Sequence, residues 1–214
     1  MKNFFGHLRN ILVHKFWVMH YGRKIGVGFW QLFKHDLSKF SLIEFRESLK
    51  YYQGTSSPIP VCKSKNGYSE AWQHHKGRNP HHYEYWTDNY DSGMTLIPIP
   101  FKYVEELLAD WFAAGRTYQG SNFSVAKQAV WWQAKKKTNM AIHPETIKLI
   151  DAFFEMHNDE DIFKKWKENR RYWSWCYWQY IKGERMLSHP DLPYPEFNQI
   201  MDTLTKVTNT IYKH

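Results

Sequence analysis

Cysteine, acidic residues and long apolar runs are all in short supply in this chain, and each shortage removes a class of protein. Its 214 residues include two cysteines, Cys62 and Cys176, too few and too far apart for a disulfide framework or a Cys-x-x-Cys zinc site. A reducing cytoplasm is the compartment this implies. Lys2, His7, Arg9 and His14 interrupt the apolar residues of the N-terminus, so no signal-peptide core is expected there. No later run approaches the ~20 apolar residues of a membrane span, so no membrane partner is expected. Acidic residues number 21 against 29 basic ones, a formal charge of +8. That excess favours anionic partners without choosing among phosphorylated metabolites, nucleic acid and acidic surfaces. Internal repeats and low-complexity segments are absent. So is strict period-two alternation, and the expected class is therefore all-α.

What is abundant is aromatic. Phe, Trp and Tyr make up 18% of the chain, with 11 Trp and 14 Tyr, and rings of that size are expected to build the core. Phe4 to Tyr21 spaces Phe5, Leu8, Leu12, Phe16 and Met19 as an apolar stripe on a first helix that also carries His7 and His14, with Gly22 as its stop. A second helix over 24–34 runs up to His35-Asp36. Ser41 to Glu44 reads as a capping box opening a third helix to Tyr52. Residues 53–67 read as a loop long enough to act as a lid. A helix over 68–76 follows, and Asn79-Pro80 then supplies a cap and first-turn proline for another through Trp86, placing His81 and His82 in its first turn. A loop over 88–100, a helix over 100–114 closed by Gly115, and helices over 122–137 and 144–157 complete the main body. From Asp159 the composition turns charged, then strongly aromatic over 172–180, and ends in a helix over 195–212. One domain over 1–158 carrying an aromatic extension over 159–214, packed on it, is the expected organisation.

Histidine is distributed unevenly: eight of the twelve lie in the first 82 residues, four of them at 74, 75, 81 and 82. Imidazoles mixed with carboxylates are the ligands of iron, manganese and zinc. A packed antiparallel pair of first helices would return His14 to the level of His35-Asp36. Glu106 and Asp110 are one turn apart on one helix face, so Asp110 can ligate while Glu106 orients a ligand. His75 with His81 or His82 completes the set. Taken alone, His35-Asp36 also reads as a helix C-terminus followed by a turn, and Glu84 as a first-turn carboxylate.

The blocks around His14, His35-Asp36-Leu37-Ser38-Lys39-Phe40-Ser41, Ala71-Trp72 with His75, Asn79-Pro80-His81-His82-Tyr83-Glu84-Tyr85-Trp86, and Glu106 with Asp110-Trp111 resemble the HD superfamily of all-α metal-dependent phosphohydrolases. More narrowly, they look like an uncharacterised family of small phage and bacterial proteins with the same signature. The resemblance covers residues 14 to about 115. It implies that His14, His35, Asp36 and Asp110 bind one metal and that His75 with His81 or His82 extends the site to a second. His75 and His82 are only seven residues apart, whereas two-metal members draw these histidines from separate helices, so one or two ions remain open.

The function expected on this reading is hydrolysis of a small phosphorylated substrate, possibly a nucleotide, with iron or manganese favoured over zinc. Lys39 and Arg78 are candidates to hold the phosphate and Glu84 a candidate general acid or base. Two other functions fit the residues: a di-iron oxygenase of the same superfamily, and a nucleic-acid-binding protein with a structural metal. The aromatic cluster of the tail could stack bases, although core is the commoner use of such rings.

Overall fold

The computed structural model describes residues 2–187 except 55, 92, 157 and 158. The expected helix over 195–212 lies outside them. Nine α-helices and one hairpin are present among the described residues: α1 Lys2–Ile25, α2 Phe29–Lys34, α3 Leu42–Lys50, α4 Pro58–Asn66, α5 Glu70–Lys76, β1 Thr87–Tyr90, β2 Gly93–Leu96, α6 Phe101–Gln119, α7 Val125–Lys135, α8 Pro144–Glu155 and α9 Asp161–Leu187. The class is all-α. The hairpin pairs Thr87 with Leu96 and Tyr90 with Gly93, and all of it but Thr87 lies inside the span 88–100 expected as loop. Its strands are largely solvent-exposed, so no buried face imposed an alternating pattern on the sequence.

α6 is the central element. Its Val104, Leu107, Leu108, Phe112 and Ala113 are fully buried, and α1 runs along it. Phe112 touches the rings of Tyr21, Phe153, Phe154 and Phe163 at centroid separations of 5.0–6.0 Å. α9 docks on this layer through Ile162, Phe163 and Trp166. Buried Glu105 fixes the joint, accepting from Trp166 Nε1 at 3.1 Å and from Arg170 Nε and Nη2 at 2.6 and 2.7 Å. The described part of the aromatic tail thus shares the core of the main body. Tyr177 within it is buried, and Trp175 and Trp178 are exposed.

α1 presents a different face from the expected one. His7, Ile11, His14, Val18, Tyr21 and Ile25 face inward, whereas Phe5, Leu12 and Phe16 of the apolar stripe are more than half exposed. The inward face carries two histidines because it serves a polar site, and those histidines disguise it as the wet side. Gly22 and Gly115 do not end their helices. A Cβ at Gly22 would lie 2.3 Å from Leu32 Cδ2, and one at Gly115 would lie 2.5 Å from Phe123 Cε2. Both glycines allow close packing in mid-helix. α1 ends instead at Gly26, whose φ of 112° suits glycine. The second helix consequently starts only at Phe29.

Local capping explains two further departures. Ser57 accepts from the Ile59 amide and Pro58 occupies the first turn, which is enough to set α4 within the expected 53–67 loop. After α5, by contrast, Asn79-Pro80 starts no α-helix: the chain passes through a turn into a 3-10 segment over Tyr83–Tyr85. The Asn79 side chain does not cap. It is buried and donates to His75 O at 2.7 Å and Ser38 Oγ at 2.8 Å.

Candidate metal centre

His14 comes from mid-α1 and Asp110 from mid-α6, where those two helices pack side by side. His35 closes α2, and Lys15 on α1 fixes that end by donating to Phe33 O at 2.7 Å and His35 O at 2.8 Å, a cation on the last carbonyls of a helix. Asp36 then takes φ 58°, the one left-handed non-glycine residue among those described. Aspartate tolerates this region better than most residues. Its carboxylate caps nothing. The sharp reversal turns His35 and Asp36, adjacent in sequence, toward a common centre.

The second half comes from α5 and the turn after it. His75 lies in the last turn of α5. His82 has extended backbone, φ −82° and ψ 130°, so His81 and His82 both reach the site. Consecutive residues of a helix would point about 100° apart, and the absence of the expected helix is what lets both histidines take part. Their ring centroids are 4.3 Å apart.

Asp36 is the hinge between two ligand groups. Its Oδ2 lies 3.2 Å from His35 Nε2 and 3.6 Å from His14 Nε2, and Asp110 Oδ1 lies 3.0 Å from His14 Nε2 and 3.4 Å from His35 Nε2. Its Oδ1 lies 3.2 Å from His75 Nε2 and 3.4 Å from His81 Nε2. One ligand atom from each of His14, His35, Asp36 and Asp110 falls within 4.8 Å of the others, and so do those of Asp36, His75, His81 and His82. These atoms are neighbours around a point rather than bonded pairs. The Nε2 atoms of His14, His35, His81 and His82 and Asp36 Oδ1 are buried without a hydrogen-bond partner among the described residues, and Asp36 Oδ2 meets the Lys39 ammonium at hydrogen-bond distance. Five unpartnered atoms would be costly if nothing bound there. Nitrogen and carboxylate donors without thiolate fit a transition metal, and each group offers enough ligands for one ion.

The outward-facing nitrogens are held by carboxylates. Glu106 Oε1 receives His35 Nδ1 at 2.9 Å and lies 3.3 Å from His81 Nδ1, while Gln31 Nε2 donates to Oε2 at 2.6 Å. Glu44 receives His74 Nδ1 at 2.6 Å and His75 Nδ1 at 2.7 Å. Such contacts select the tautomer that leaves Nε2 free to ligate.

The field of the site suits a cation. Burial alone would raise the Glu106 carboxyl, but His35 and His81 bring it down to about 2. Asp36 and Asp110 also stay well below the usual range against their burial, held by His35 and Lys39 in one case and by His14 and His35 in the other. Burial disfavours charge on His35 and His75, yet the surrounding carboxylates, Asp36 foremost, hold both above the ordinary imidazole value. His82 is the opposite: burial, with His81 and His75 beside it, keeps it well below that value and therefore neutral.

The family model described as a family of unknown function, DUF5662, matches residues 3–156. The chain belongs to that family. No curated protein and no solved structure matches it. The matched span in this DUF5662 member contains every residue of both ligand groups and ends beyond α8.

Of the three expected catalytic side chains, Lys39 alone reaches the centre, with Nζ 2.6 Å from Asp36 Oδ2. Arg78 is exposed just past α5. Glu84 sits on the 3-10 segment, its carboxyl raised by burial, outside the cavity described below. Sequence reasoning missed Glu44, Gln31 and Lys15. Ser41 Oγ does accept from the Glu44 amide at 3.3 Å, so the capping box accounted for Glu44 in advance, while its side chain turns away to two histidines. Nothing in the spacing of Gln31 or Lys15 marks either of them.

Proposed function

We propose that this chain is a metal-dependent phosphohydrolase of HD-superfamily type that acts on a small phosphorylated substrate. One observation carries the reading: the ligand groups form a wall of a cavity of about 200 Å³, lined by His14, Asp110, His75, His82 and Lys39 on that side. A structural metal is enclosed by protein ligands, whereas a catalytic one keeps a face open to water and substrate. The volume lies below the roughly 300 Å³ at which drug-sized pockets begin, which suits a compact molecule.

Iron or manganese is the ion favoured here, with zinc next, and when bound it would supply a water acidic enough to act as nucleophile near neutral pH. The chain's own residues divide the remaining work. His14, His35, Asp36 and Asp110 would hold one ion, and Asp36, His75, His81 and His82 a second. Glu106 and Glu44 fix the imidazoles. Lys39, partly solvent-accessible and at the cavity, holds its proton more firmly than a free lysine because Asp36 and Asp110 outweigh its burial. It is thus a permanent cation for a phosphoryl oxygen.

Two metals bridged by a carboxylate are also the arrangement of a di-iron oxygenase, and the shared Asp36 favours that as the second reading. The test is a screen of phosphomonoesters with iron, manganese or zinc supplied to wild type and Asp36→Asn. Asparagine is preferred to alanine because it accepts φ 58°. Phosphate release by wild type that vanishes in Asp36→Asn, with metal content falling at least tenfold, is the expected result. Absence of turnover for every phosphoester with every metal would overturn the hydrolase.

A further inference from the structure

The cavity extends past the ligand groups to a second polar pole. Two helical turns before His14 on the same face of α1, His7 lines the cavity as well. Seven residues of helix place it about 10 Å from His14. Only 6% of His7 is exposed, and its Nε2 is buried without a hydrogen-bond partner. Its ring is clamped between Phe45 and Tyr52, at centroid distances of 5.0 and 5.5 Å. The clamp needs Gly6, because a Cβ there would come within 3.0 Å of the Tyr52 ring. A buried histidine in the wall of a cavity, with a ring nitrogen that has no partner among the described residues, is a group kept for something that enters.

The chemistry of the surroundings narrows what enters. Asn10, Ser48, Ser56 and Ser57 add amide and hydroxyl groups to the lining, and Lys39, at the metal end, is its one Lys or Arg among the described residues. Those residues offer no second cation there for a second phosphate or a carboxylate. Burial, with Lys39 next, lowers His7, so it stands neutral with one nitrogen to donate and one to accept.

We propose that His7 Nε2 is the anchor for the uncharged end of the ligand, and that this ligand is a phosphomonoester whose compact, neutral, hydroxyl-bearing body spans the roughly 10 Å between His14 and His7. The ligand class rests on the phosphohydrolase reading, and the His7 site rests on the geometry of the cavity.

Calorimetric titration of manganese-loaded protein with inorganic phosphate, phenyl phosphate, glycerol 1-phosphate and ribose 5-phosphate tests it. At least one hydroxylated ester should bind wild type about tenfold more tightly than inorganic phosphate or phenyl phosphate, the size of one well-made hydrogen bond to a buried partner. His7→Phe keeps a ring between Phe45 and Tyr52 and should remove that advantage, while phosphate affinity changes less than twofold. His7→Gln should restore part of it. Nitrogen NMR of the labelled histidine adds a readout that needs no variant: the His7 ring signal should move with the hydroxylated ester and stay still with phosphate. The proposal is overturned if no hydroxylated ester exceeds phosphate, or if His7→Phe weakens all four probes alike. His7-dependent binding without turnover would sink the hydrolase and leave this site standing. Turnover with an unaltered KM in His7→Phe would do the reverse.

Discussion

On one side of α6, Glu106 and Asp110 face imidazoles; on the other, Phe112 faces the rings of α8 and α9. The first side buries His14, His35, Asp36, Glu44, His75 and His81, and the second buries Phe153, Phe163 and Trp166. Burying rings is favourable in itself and scales with area. Burying unpartnered polar atoms is unfavourable until something satisfies them. The aromatic side can therefore hold the polar side in place without a ligand, and on the proposed reading the polar side would gain its full stability only with a cation bound. This contrast makes α8 and α9 a buttress for the site.

The largest effect should come from the aromatic side. Phe112→Ala removes the ring that five others meet and should cost about 4 kcal/mol in denaturant unfolding. The loss should be the same with manganese present and after chelation, because Phe112 touches no ligand. A loss that appears only in the metal-loaded protein would break the division between the two sides.

Next comes the polar side. With free metal a hundredfold above its Kd, binding to the folded chain alone adds about 3 kcal/mol. Chelation should remove this increment from wild type, seen as a lowered melting temperature, while Asp36→Asn shows almost no response to either treatment because Asp36 belongs to both ligand groups. An equal response in wild type and variant would separate metal binding from these residues.

The sequence showed these two sides unequally. The all-α class and the ring-built core were legible, since apolar spacing and aromatic content report area burial directly. The orientation of α1 was not. Phe5, Leu12 and Phe16 outscore His7 and His14 on any hydrophobic count, yet the histidines are inside, where both line the polar cavity. His14, His35, Asp36, His75, Asp110 and one of His81 and His82 could be named as candidate ligands from type, order and the family resemblance. How His81 and His82 both reach the site could not, because that depends on a helix failing to form after Asn79, whose side chain is taken by His75 O and Ser38. Glu44 was hidden by a second valid use of the same residue, and His7 by having no neighbour in sequence to mark it.

The smallest effect sharpens the comparison most, since it isolates one carboxylate of the polar side without metal. Glu106 is held at about 2 against an ordinary value of 4.5, because its interactions with His35 and His81 exceed the penalty of burial. A carboxyl lowered in the folded state binds fewer protons there than in the unfolded chain. Its contribution is therefore complete above about pH 4.5 and is lost as the pH falls toward 2. In chelated protein, Glu106→Gln should cost of the order of 2 kcal/mol at pH 5–6. The gap to wild type should then close progressively between pH 4.5 and 2. Subtracting the variant's curve cancels, to first order, the titration of Asp36 and Asp110, which the two proteins share. A gap that stays constant over that range would mean that Glu106 supports the site by packing and hydrogen bonding alone, without its charge.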